Sequence, residues 1–182
     1  MTAHDRLPLL FLDVDGPLIP FGPTPPQLPG GRPLYPAPPG LPGAGTNPLL
    51  DRIDPALGPR LAALPCTLLW ATTWGEDANL CVAPRLGLPA LPVLDEPEDD
   101  GPDDDGPGAD PARGARLHWK TRPIVDRAAG RPFAWVDDEI SAADRVHVAA
   151  HHPGPALLHR VDPARGLTDA DLEAIGAWLQ TA

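Results

Sequence analysis

The chain has 182 residues, 42% of them hydrophobic and 21% charged, with a formal net charge of −11. That is enough apolar material for one core and one domain, and too little charge for wholesale disorder. Nine of the 25 acids fall in residues 95–110; without them 16 acids face 14 bases, so the basic stripe that nucleic-acid binding needs is missing.

The first apolar run, residues 7–12, reads as a buried strand with Pro8 near its start. It is too short to span a bilayer and has neither a basic flank nor a cleavage site, which predicts a cytoplasmic protein with no signal peptide and no membrane partner. Residues 17–48 hold so many prolines and glycines that neither a long helix nor a central strand can form there. They predict an extended surface excursion, with room for a short hairpin. Asp54-Pro55 then offers a helix start limited by Pro59, and residues 66–71 read as a second strand. A helix is expected over residues 75–86, interrupted near Pro84, followed by a short third strand at 91–94. The acidic run lacks the alternating pattern of a calcium loop and predicts a solvated, disordered loop over about 95–112. A helix over 118–129 should be divided by Pro123. Strands follow at 133–136 and 156–161, and the last helix is capped by Thr168 with Leu172, Ile175 and Leu179 as its apolar stripe. Cys66 and Cys81 stand far apart in no metal-binding spacing and read as thiols in a reducing compartment.

Strands that are apolar without alternation suit a sheet covered on both faces. Their alternation with helices predicts an α/β fold, a three-layer α/β/α sandwich with a mainly parallel, Rossmann-like sheet. In such sheets ligands bind beyond the carboxyl ends of the strands, and the polar residues collect there. Asp13 and Asp15 end the first strand, two apart and on one side if extended geometry persists, and Gly16 allows the turn that follows. Thr72 follows the second strand, where a hydroxyl can bind an anion. Lys120 is the only lysine beside 13 arginines, which points to a compact ammonium at that place. Asp137 and Asp138 end the fourth strand, with Glu139 and Asp144 nearby, and supply hard oxygen ligands of the kind Mg²⁺ takes. Trp74 and Trp119 neighbour these groups and are candidates for stacking on a substrate or for core packing.

On these residues the sequence resembles the haloacid dehalogenase-like superfamily. The strand followed by Asp13-Val14-Asp15-Gly16 is similar to its first motif, Thr72 to its second, Lys120 to its third, and Asp137-Asp138 to its fourth, with Asp144 as a further acid. The resemblance implies a capless or minimally capped, Mg²⁺-dependent phosphatase. Asp13 is then the nucleophile that forms an aspartyl-phosphate, and Asp15 the acid and base. Thr72 and Lys120 hold the phosphoryl oxygens. The metal is held by Asp13, the Asp15 carbonyl and Asp138, with or without Asp137. The second Asp of the pair is the phosphatase mark, as against carbon–halogen cleavage. Pro17 departs from the pattern by removing a backbone donor. The implied partner is a phosphorylated small molecule or macromolecular end; the substrate and the oligomeric state stay open. A phosphotransferase sharing the intermediate and a non-catalytic binding module are the alternatives. A two-component receiver domain would place its paired acids first, whereas here they come last.

Overall fold

The computed structural model describes residues 7–24, 28, 30–37, 40–42, 47–95 and 117–182. The acidic stretch 96–116, and with it the expected disordered loop, lies outside the described residues. Four strands form one parallel sheet: β1 (Leu9–Leu12), β2 (Thr67–Trp70), β3 (Phe133–Asp137) and β4 (Ala156–Arg160), in the order β2-β1-β3-β4. β1 is central and wholly buried, with Leu12 in register with Trp70 on one side and Val136 on the other.

Side chains alternate across β1, and this divides the core in two. Leu10 and Leu12 face a cluster with Trp70, Val136 and residues of α1 (Leu57–Ala62), α2 (Ala83–Leu86) and α5 (Asp169–Leu179). Leu9 and Phe11 face another with Phe133, Trp135 and residues of α3 (Thr121–Ala128) and α4 (Ala142–His151). Helices therefore cover both faces, as the expected three-layer sandwich requires. Among the described residues no helix is long and apolar enough to cross a membrane.

Several expected elements differ. Residues 91–94 make only one bridge, Val93 to Trp70, because Pro89 and Pro92 lack the donors that would extend a ladder. Residues 78–86 form a π-helical turn, Ala78–Val82, running into the four-residue α2, which starts at the position that tolerates Pro84. Pro123 does not divide α3; it lies in the first turn, where its missing N–H has no helical acceptor anyway. The proline-rich stretch is not purely a surface excursion. Leu18 and Ile19 are buried in the core, their N–H groups both bonded to the Val14 carbonyl, so the chain turns back on itself before leaving. Among its described residues no hairpin strands form. As expected, Thr168 caps α5, and Asp171 completes a capping box.

Candidate active site

The strand order reverses direction between β1 and β3, so the loops that follow these two strands run to opposite sides of the sheet and leave a crevice beyond their carboxyl ends. Asp13 and Asp15 leave β1 into it, and Asp137 and Asp138 leave β3. Asp13 is pinned there by the sheet itself, its N–H donating to the Val136 carbonyl at 3.0 Å. Lys120 stands just ahead of α3 and reaches in from the covering layer.

Its ammonium donates to Asp13 Oδ2 at 2.9 Å and to Asp137 Oδ2 at 2.7 Å, and all three side chains are almost wholly buried. Asp137 is fully engaged: Trp135 Nε1 also donates to its Oδ2, and the Glu139 N–H to its Oδ1. Asp138 differs. It is buried, yet among the described residues no side chain donates to its carboxylate. The structure thus divides the paired acids, Asp137 anchoring the lysine and Asp138 standing open.

Three carboxylates gathered around one ammonium leave an excess of negative charge. Burial, opposed by Lys120 and reinforced by Asp137, pushes the Asp13 carboxyl up to about 7. Burial and Asp137 raise Asp138 as well. Asp13, Asp137 and Asp138 can each bring one oxygen within 4.8 Å of the others, and the Asp15 carbonyl accepts no backbone donor among the described residues. An excess of negative charge beside the open Asp138 carboxylate and the unengaged Asp15 carbonyl fits a hard divalent cation.

Asp15 is partly exposed, and Trp74 Nε1 donates to its Oδ2 at 2.9 Å. Of the two places considered for Trp74, core packing is the one its ring takes, while its N–H holds Asp15. Gly16 takes φ +82°, and a β-carbon there would lie 2.5 Å from Asp138 Oδ1, so the open carboxylate rests against bare backbone. Thr72 is buried, its Oγ1 accepting from the Trp74 N–H at 3.4 Å, which leaves its own O–H to donate. A cavity of about 170 Å³ opens over Asp13, Asp15, Lys120 and Asp138, and its wall includes Thr73, not Thr72.

Sequence reasoning passed over Thr73, His118 and Phe21, which also line this cavity. His118 Nδ1 accepts from the Lys120 N–H, so Nε2 carries the proton and donates to Glu139 at 3.1 Å. Asp144 lies away from the acid cluster. It accepts from Thr121 Oγ1, the His118 N–H, and the Ser141 hydroxyl and N–H, tying the lysine-bearing turn to the start of α4. Expected as a further acid of the cluster, it instead takes the third position of a capping box with Ser141.

No family model matches the chain, nor does any curated protein or solved structure. The fold and the site define an α/β protein with a carboxylate–ammonium cluster at the switch point of a parallel sheet.

Proposed function

We propose that this protein is a Mg²⁺-dependent phosphohydrolase acting through an aspartyl-phosphate on Asp13. The observation that carries the proposal is the arrangement around Lys120: two buried carboxylates on one ammonium, with a third, open carboxylate beside them. Asp13, Asp138 and the Asp15 carbonyl would hold the metal, which would supply positive charge to offset that of the phosphoryl oxygens.

The chain's own groups then divide the work. The Val14 N–H donates to Asp13 Oδ1 at 2.8 Å and fixes the carboxylate's orientation. Asp13 attacks phosphorus as the bond to the leaving oxygen breaks, giving the acyl phosphate. Two of the three Lys120 donors are engaged by carboxylates, which leaves one for the phosphoryl oxygens. Thr73, which lines the cavity where the expected Thr72 does not, would supply another donor, and each such group is worth about 3 kcal/mol of barrier. Trp74 occupies Asp15 Oδ2, leaving Oδ1 to give a proton to the leaving oxygen and then to take one from the attacking water.

The test is release of p-nitrophenol from its phosphate ester, with and without Mg²⁺. The proposal expects magnesium-dependent turnover that falls about 10⁴-fold or more in Asp13→Asn. Turnover that survives in that variant would overturn it.

A further inference from the structure

We propose that the site takes monoesters of single-ring aromatic alcohols, with the ring held between Phe21 and Trp119; this deepens the phosphohydrolase reading and rests on it. Phe21 leaves the proline-rich stretch at the mouth of the cavity that contains Asp13, Asp15 and Lys120. It exposes 40% of its surface, yet its backbone is held from several sides. Its N–H donates to the Pro163 carbonyl at 2.8 Å, and Arg32 donates to the carbonyls of Phe21, Gly22 and Pro23 at 2.9, 3.0 and 2.9 Å. A fourth bond from Arg32, to the Ala164 carbonyl at 3.2 Å, ties this corner to the loop after β4. A wetted aromatic side chain on a fixed backbone leaves apolar surface in water that a bound ring would cover.

Trp119 supplies a second aromatic surface on the same cavity. It is half-buried, lines the same cavity, and its ring centroid lies 5.6 Å from the Lys120 ammonium. A phosphoryl group held by Lys120 therefore lies near this indole, within reach of its ester substituent. Trp74 cannot share the role, because its ring is packed on the core and its N–H is engaged by Asp15. Size sets the class: the cavity, about 170 Å³, is well below the ~300–1,000 Å³ of drug-sized ligand sites and suits a phosphoryl group with one ring.

The experiment is calorimetric titration, with Mg²⁺ present, of phenylphosphonate and cyclohexylphosphonate, which match in size and differ in planarity. The wild-type protein should bind the phenyl compound about fivefold more tightly, as ring stacking provides. That preference should fall to about one in Phe21→Ala and in Trp119→Leu, with Phe21→Leu in between because it keeps an apolar contact. Equal affinities in the wild type, binding of neither compound, or a preference that persists in both variants would overturn the inference. Turnover of p-nitrophenyl phosphate on the same samples keeps the two readings apart. A ring preference without turnover removes the hydrolase and keeps the aromatic site, whereas turnover without a preference does the reverse. A phosphonate analogue of phosphotyrosine, free and within a peptide, separates the sources of the ring: tighter binding of the peptide makes the ester protein-borne, and tighter binding of the free form makes it a small molecule.

Discussion

The carboxylate of Asp138 packs so closely over Gly16 that a β-carbon there would fall 2.5 Å from its Oδ1 and 2.6 Å from its Cγ. Gly16 also holds a φ of +82° that side-chain-bearing residues rarely adopt. Gly16→Ala should lower stability by about 1–2 kcal/mol from backbone strain alone. It should also weaken Mg²⁺ binding, because the open carboxylate has to move. Urea denaturation and a Mg²⁺ titration on the same sample check both effects.

Lys120 is the only cation paired with Asp13 and Asp137 among the described residues. Lys120→Met should leave those carboxylates buried without a partner and cost about 3–5 kcal/mol. The loss should be greater near pH 8 than near pH 5, where the carboxyls can take up protons instead. Chemical denaturation at the two pH values measures the difference.

Without metal, Asp13 gives the protein an unusual dependence on pH. Its folded-state value, about 7, lies above the ordinary 3.8, so between those values the folded chain retains a proton that the unfolded chain releases. Stability should therefore fall as pH rises from about 4 to about 7, then level off. Asp13→Asn should flatten that slope, and saturating Mg²⁺ should raise the stability of the wild type most at the alkaline end. Thermal melts across this range, with and without Mg²⁺, test the sign.

Asp144 shows the opposite behaviour. Burial alone would raise its carboxyl, but hydrogen bonds from Ser141, Thr121 and two backbone N–H groups outweigh that and hold it below the usual carboxylate range. It therefore contributes stability above about pH 4 that is lost as pH falls further. Asp144→Ala leaves several donors without an acceptor and should cost about 2–4 kcal/mol at neutral pH. Because Asp144 holds the turn before Lys120, kcat for p-nitrophenyl phosphate should fall with it. Denaturation curves and steady-state rates on one preparation check both.

Most of the sheet could be read from the sequence, because runs such as Leu9 to Leu12 are apolar on both faces and β1 is in fact covered on both. The strand-end acids were legible for the same reason: a carboxylate directly after a buried strand stands out against its neighbours. What could not be read depends on contacts between distant residues. The bond from Trp74 to Asp15 spans 59 positions, and nothing local distinguishes that indole from a core residue. Likewise Asp144 reaches 26 positions back to His118. Pro123 was misplaced because a proline divides a helix only beyond the first turn, and a boundary three residues early reverses its meaning. Leu18 and Ile19 were hidden by the proline-rich composition around them, although both belong to the core.

The central claim is that Asp13 carries the phosphoryl group, and the Asp15→Asn variant exposes it most directly. p-Nitrophenolate leaves without needing a proton, so this variant should still form the intermediate but lack the base that activates water for its breakdown. Mixed with p-nitrophenyl phosphate and Mg²⁺, then quenched in acid, it should release a stoichiometric burst of nitrophenol and yield a peptide phosphorylated at Asp13. A burst with the phosphoryl group on any other residue, or steady turnover that never labels Asp13, would contradict the account.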